Sequence, residues 1–70
     1  MSAPRLELMV NGERRHVVAG TLELALAELG FGEVKVATAL NGDFVPAARR
    51  AATRLTHGDK IEIVAARAGG

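Results

Sequence analysis

Residues 60–64, Lys60-Ile61-Glu62-Ile63-Val64, read as the clearest strand in the chain. Ile61 and Ile63 fall on one face and Lys60 and Glu62 on the other, the period of two that a half-buried strand requires. Gly58-Asp59 supplies the turn in front of it. A strand with one apolar edge of this kind needs partners beside it and a layer over its Ile face, and the rest of the sequence supplies both.

Near the other end, Leu6, Leu8 and Val10 alternate with Glu7 and Met9, and Asn11-Gly12 follows at once. Asn and Gly tolerate the positive φ of a tight hairpin turn, so residues 14–18 are expected to return antiparallel to this first strand. Gly20 ends the hairpin, and Thr21 is placed to accept a hydrogen bond from the free N–H groups that open a helix. Leu22, Ala25, Leu26 and Leu29 then form one apolar stripe, Glu23 and Glu28 point away from it, and Gly30 gives a left-handed stop after about two turns. Residues 34–40 read as another strand region with Val36, Thr38 and Leu40 on one face. Asn41-Gly42 repeats the turn chemistry before Phe44-Val45-Pro46, which predicts a second hairpin that stops at the proline. Residues 47–54, AARRAATR, favour a helical turn, with a short extended piece at 53–55.

The helix between the first and last strands provides the long crossover that a parallel pair requires, so these two strands are expected side by side in the centre of the sheet. The fold class is therefore α+β: a ubiquitin-like β-grasp, with a mixed four- to five-stranded sheet, one main helix across one face and a flexible C-terminal Gly-Gly tail. Residues 1–70 make a single domain, with 5–65 as the folded core, 66–70 as the tail and the first four residues as a frayed end.

Seventy residues bury only about 60% of their unfolded surface, so the core is small. There is no cysteine to staple it, and His16 and His57 stand apart without metal-ligand spacing. Packing must carry the fold, and the 49% apolar content, mostly aliphatic with Phe31 and Phe44 as the rings, suits that task. No apolar run approaches the ~20 residues of a bilayer span, and no signal-peptide pattern is visible, so a cytoplasmic, membrane-free protein is expected. The net charge is +1, with five basic and two acidic residues in 47–70 against four and six in 1–46. Without Trp, Tyr or a dense basic patch, nucleic-acid binding is not expected, and Arg49, Arg50 and Arg54 read as a solvated edge.

Enzymatic readings have little to stand on. There is no Cys, Ser2 is the only serine, and neither histidine has a visible nucleophile to activate. Glu23, Glu28, Glu33, Asp43 and Asp59 all fall on helix faces, turns or polar edges, and no catalytic residue is assigned. Gly30-Phe31-Gly32 follows a helix, the wrong setting for a dinucleotide-binding loop. Met9 and Val64 are apolar where the alternation points away from the helix, either as ordinary surface or as a partner patch. What remains is the run Ala65-Ala66-Arg67-Ala68-Gly69-Gly70, in which the two glycines lack side chains and suit a narrow channel.

These residues carry a resemblance. Val10-Asn11-Gly12, Gly20-Thr21-Leu22, Ala39-Leu40-Asn41-Gly42-Asp43-Phe44-Val45-Pro46, Gly58-Asp59-Lys60-Ile61-Glu62-Ile63-Val64 and Gly69-Gly70 together resemble the thiamine-biosynthesis sulfur carriers of the ThiS family, over essentially the whole chain after Pro4. The molybdopterin-synthase small subunit shares the fold and the Gly-Gly, but the NGDFVP turn is more similar to the thiamine carriers. The resemblance implies a protein co-substrate rather than an enzyme. An E1-like adenylyltransferase would use ATP and Mg²⁺ to adenylate Gly70, with no cofactor bound by the carrier itself. Sulfur from a cysteine desulfurase or another donor would give a thiocarboxylate, for delivery to a thiazole synthase. Gly69, Ala68 and Arg67 would thread the partner's channel, and Phe44, Val45, Pro46 and Val64 would dock beside it. A ubiquitin-like modifier, joined through Gly70 to lysine, and a non-covalent β-grasp binding module with an inert tail are the competing readings.

Overall fold

Both hairpins are made by the same two-residue device. Asn11 and Gly12 have φ of 51° and 83°, and Asn41 and Gly42 have φ of 51° and 90°. Positive φ at both central positions defines the turn whose twist matches that of paired strands. The computed structural model describes residues 5–65. Strands β1 (Leu6–Val10) and β2 (Glu13–Val17) flank the first turn, and β3 (Val36–Leu40) and β4 (Asp43–Val45) flank the second. Helix α1 (Leu22–Glu28) lies between the hairpins in the chain, and a 3₁₀ helix (Ala47–Ala52) leads on towards β5 (Lys60–Ala65). The sheet has five strands in the order β2-β1-β5-β3-β4, with β5 parallel to β1 and antiparallel to β3. This is the expected β-grasp, with the first and last strands paired at its centre.

The helix ends as its sequence dictates. Thr21 Oγ1 accepts from the Leu24 N–H at 3.3 Å. After Leu29 the chain turns left-handed at Gly30 (φ 96°), while the Gly30 N–H donates to the Ala27 carbonyl and the Phe31 N–H to the Leu26 carbonyl. That pair of bonds is the Schellman arrangement, and it satisfies carbonyls that the helix leaves open. Leu22, Ala25 and Leu26 are buried against Leu8, Val10, Val17, Ile61 and Ile63 of the sheet, with Val45 and Leu55 completing the core. Each fully buried aliphatic side chain contributes roughly 1.5–3 kcal/mol relative to exposure. The 53–55 piece is extended as expected: the Leu22 N–H donates to the Thr53 carbonyl and the Leu55 N–H to the Gly20 carbonyl, closing a bridge between Thr21 and Arg54.

Three differences from expectation have local causes. β3 begins at Val36 rather than 34, because the Val34 N–H is drawn into a turn by the Phe31 carbonyl. β2 ends at Val17, and the N–H groups of Val18 and Ala19 donate to the Glu28 carboxylate at 3.0–3.1 Å, so Glu28 ties the strand end to the helix. Arg50, read as solvated, is half-buried: its Nε donates to Thr38 Oγ1 and its Nη2 to the Val36 carbonyl.

Both turn asparagines also reach β5. The Asn11 backbone N–H donates to the Ile61 carbonyl, continuing the parallel ladder. One step on, where the chain turns away, the Asn11 carboxamide replaces the missing peptide: Oδ1 accepts from the Ile63 N–H at 2.7 Å and Nδ2 donates to the Ile63 carbonyl at 3.0 Å. Asn41 does the same at the start of the strand, accepting from the Lys60 N–H at 2.9 Å and donating to Asp59 Oδ1 at 3.0 Å. Asp59 in turn accepts from the Thr56 N–H and hydroxyl. Burial acts to raise the Asp59 pKa, but the hydrogen bonds from Asn41 and Thr56 outweigh it and hold the carboxyl below its ordinary 3.8.

Two predictions follow from these bonds. Asn11→Gly keeps the turn conformation and removes only the carboxamide, so urea unfolding should show a loss of about 1–2 kcal/mol; a loss under about 0.5 kcal/mol would mean that the bonds to Ile63 add nothing to stability. Because Asp59 has a depressed pKa in the folded chain, its contribution is complete above the unfolded value and is lost as pH falls through the folded one. Stability of the wild type should therefore fall below about pH 4, and Asp59→Asn should flatten that part of the profile measured by thermal melts from pH 6 to pH 2.

Candidate functional site

The helix covers one face of the sheet, and alternation assigns the residues of the other. On β5, Ile61 and Ile63 are buried, which puts Lys60, Glu62 and Val64 on the open face. Val64 lies opposite Ala37, Glu62 opposite Ala39, and Ala39 opposite Phe44, so all of these share that face. Phe44 is 69% and Val64 66% exposed, the two most exposed large apolar side chains among the described residues. With Ala37 and Ala39 between them they form an apolar patch across β4, β3 and β5.

The other half of the open face is polar. Glu7 lies opposite His16, and Met9 lies opposite both Arg14 and Lys60. Arg14 Nε stands 3.1 Å from Glu7 Oε2, and His16 Nε2 stands 3.5 Å from Glu7 Oε1. These pairs are exposed and are worth only a few tenths of a kcal/mol each. Four successive residues of the edge strand β2, Glu13-Arg14-Arg15-His16, are charged or ionisable, which discourages another strand from pairing there.

The Val64 side of the patch lies at one end of the sheet, and Phe44 lies towards the other, next to the Asn41-Gly42 turn. Ala65 closes β5 opposite Val36, and Val64 is its immediate neighbour, so the apolar surface borders the point from which the sequence runs on to Gly69-Gly70. Gly70, Gly69, Ala68 and Arg67, named as the working end of the chain, lie outside the described residues. Of the four docking candidates, Phe44 and Val64 share the open face, and Pro46 is exposed where the 3₁₀ helix begins. Val45 is a correction: it is only 8% exposed and belongs to the core, because its place opposite the buried Thr38 turns it towards the helix side. Phe44 and Val45 are consecutive on one strand and cannot face the same partner.

The described residues bring together no group of three or more His, Cys, Asp or Glu side chains able to hold a metal ion. His57 Nδ1 accepts from the Glu7 N–H at 3.2 Å, so this ring joins the turn before β5 to β1. A cleft of about 660 Å³ opens at the far end of the sheet, between the two Asn-Gly turns, lined by Met9, Asn41, Lys60 and Glu62 among others. A smaller one, about 360 Å³, lies between α1 and the 3₁₀ helix and is lined by Leu24, Phe31, Val34 and Arg50 among others. The larger cleft meets the apolar patch at Glu62, which lies opposite Ala39. No helix among the described residues is long and apolar enough to cross a membrane.

Sequence reasoning missed Arg50, whose setting depends on a contact twelve residues back in the chain, and the reach of Asn11 and Asn41 to β5. The Asn-Gly pairs marked the turns but carried no sign of what the amides would touch.

Comparison with known proteins adds three findings. The ThiS family model matches residues 8–70. The crystal structure of a thiamine biosynthesis protein (ThiS) from Geobacter metallireducens superposes with a TM-score of 0.74 at 29% identity, covering 93% of this chain and all of that one. A thiazole synthase of Paramagnetospirillum magneticum is 42% identical over 66 residues, which are 93% of this chain and 20% of that protein, so this chain spans about a fifth of that relative. With the family match running over nearly its whole length, the chain belongs to the ThiS family.

Proposed function

We propose that this chain carries sulfur for thiazole formation in thiamine biosynthesis, with the Gly70 carboxylate as the group that is loaded. The observation that carries the reading is the exposed apolar face of Phe44 and Val64, with Val64 next to the strand end that leads within six residues to Gly70, in a chain whose family match extends to Gly70. A partner that docks on the patch would hold the tail near its own catalytic groups.

The chemistry demands such a partner. A carboxylate is a poor electrophile, so an E1-like adenylyltransferase would let a Gly70 oxygen attack the α-phosphorus of ATP, releasing pyrophosphate and leaving an acyl-adenylate. Hydrosulfide then adds to the carbonyl carbon and AMP departs, giving the thiocarboxylate. A cysteine desulfurase could supply the sulfur as a persulfide, in which case a thiol must cleave the resulting acyl disulfide. Apart from the Gly70 carboxylate, the nucleophile of the first step, the carrier brings no catalytic group and acts as co-substrate; ATP and Mg²⁺ belong to the activating enzyme. The thiazole synthase relative, which holds a region like this chain within a polypeptide about five times as long, supports a thiazole synthase as the acceptor of the sulfur. The reading requires that Gly70 bear a free carboxylate, and it implies that all of these events take place in the cytoplasm.

Incubation with a cognate activating enzyme, ATP, Mg²⁺ and sulfide should add about 16 Da to the intact mass, the exchange of one oxygen for sulfur expected of covalent acyl activation. The gain should vanish on deletion of Gly70, and Gly70→Ala should slow it because a Cβ must enter the channel. No gain with an enzyme shown to be active on another carrier, or a mass that reports attachment to lysine, would overturn the reading.

Phe44→Ala and Val64→Ala should each weaken binding to the activating enzyme, about tenfold for Phe44, as truncation of a central apolar contact does. Thermal stability should change little, because both side chains are exposed. Calorimetric titration beside thermal melts checks both parts.

A further inference from the structure

Pro46 leaves a gap in the sheet. Thr38 lies opposite Val45, so position 47 would face Val36 if β4 ran on, but Pro46 lacks an N–H and the chain enters the 3₁₀ helix at Ala47. The first residue of β3 therefore has no strand beside it on that side. Arg50, on the 3₁₀ helix, fills the gap: its Nη2 donates to the Val36 carbonyl and its Nε donates to Thr38 Oγ1 at 3.1 Å. The Thr38 hydroxyl, 2% exposed with its residue, donates in turn to the Val45 carbonyl at 2.8 Å. One guanidinium thus holds β3 at two points and reaches the end of β4 through the hydroxyl between them. A planar, permanently charged fork suits two acceptors at fixed spacing better than any other side chain.

Val36 is also the residue opposite Ala65, where β5 ends. We infer that Arg50 is a positioning residue: by holding the start of β3 it keeps Val64 and Ala65 paired, and so fixes the point from which the chain leaves the sheet towards Gly70. The inference rests on the carrier reading above for its consequence, but its structural half stands apart from it. Gly70 lies five residues beyond Ala65, a reach of at most about 18 Å in extended chain. If 64 and 65 unpair, the tether lengthens to seven residues, and each residue that must be ordered again for threading carries a backbone entropy cost. Arg50 therefore acts on how readily a docked carrier presents its carboxylate.

The test compares wild type, Arg50→Gln and Arg50→Lys in two measurements. The first is amide hydrogen exchange of the carrier alone. Arg50→Gln should speed exchange at residues 36–38 and 63–65 while β1 and β2 keep their protection, and Arg50→Lys should lie between. The second is single-turnover loading with sulfide, followed by intact mass across a range of activating-enzyme concentrations. Arg50→Gln should lower the maximal rate about tenfold with the half-saturating concentration changed by less than about twofold, the opposite split to Phe44→Ala, and Arg50→Lys should recover part of the rate. Unchanged exchange at 36–38 and 63–65, or exchange faster everywhere alike, overturns the hold on the strand end. Local exchange with an unchanged maximal rate overturns the positioning role. If wild type gains no sulfur, the carrier reading fails and the positioning role with it, while the exchange pattern still decides whether Arg50 holds this end of the sheet.

Discussion

The parallel pairing of β1 with β5 is the constraint on which the other elements depend. The two strands come from opposite ends of the described chain, and a parallel ladder cannot be closed by a tight turn. The helix and the second hairpin are what lie between them, and the helix packs back across the pair through Leu22, Ala25 and Leu26 onto Leu8, Val10, Ile61 and Ile63. The ladder itself is brief: Met9 opposite Lys60, then Val10 opposite Ile61. It is lengthened at one end by a side chain, since the Asn11 carboxamide bonds Ile63 where the backbone has already turned away. Asn41 takes the corresponding place at the start of β5, from the hairpin on the other side. The central strand is thus held by the turn residue of each neighbouring hairpin. Each turn asparagine serves twice, once through the positive φ it accepts and once through the amide it extends.

Much of this fold is legible in the sequence, and the division between what is and is not legible has a physical basis. The alternation in 6–10 and 60–64, the stripe from Leu22 to Leu29 and the two Asn-Gly pairs are signals in which each residue's environment follows from its near neighbours in sequence. They placed the hairpins, the helix with both its caps, and the parallel centre. Arg50 and Val45 were misread for the opposite reason. Arg50 sits among alanines with nothing local to mark it, and its acceptors are on β3. Val45 was grouped with Phe44 and Pro46 because the three are adjacent in a motif, although adjacency on a strand puts neighbours on opposite faces. Glu28, similarly, looked like a helix residue facing water, and its carboxylate instead receives the N–H groups released where β2 ends. The apolar face was legible in part, since the exposure of Val64 follows from its alternation with Ile61 and Ile63, whereas its sharing a face with Phe44 depends on the β3–β4 and β3–β5 registers.

The two faces of the sheet divide the work. The helix side holds nearly all the packing energy of a small domain, in ten buried apolar residues. The open side contributes little to stability and is free to vary in chemistry: a charged half around Glu7, Arg14, His16 and Lys60, and an apolar half around Phe44 and Val64. For a chain this short, whose stability is of the order of 5 kcal/mol, leaving two large apolar side chains in water forgoes burial worth a sizeable part of that total. Their exposure is accounted for if a partner covers them.

The same reasoning bears on the proposed carrier role, in which a docking surface and a reactive group are separate parts of the chain. A carboxylate that must enter another protein's catalytic site cannot be built into a packed core, where backbone and side chains would block its approach. It has to stand on a segment that can be threaded, and a segment of that kind carries little specificity of its own. Specificity then has to come from a rigid surface at a fixed distance from the threaded end. In this fold the exposed apolar residues lie on β3, β4 and β5, and β5 is also the strand from which the sequence runs on to Gly70. If the carrier reading holds, loosening the β3–β5 pairing near Val36 and Ala65 would uncouple the apolar face from the strand end that leads to Gly70, and that pairing is braced by the buried hydroxyl of Thr38 and the guanidinium of Arg50.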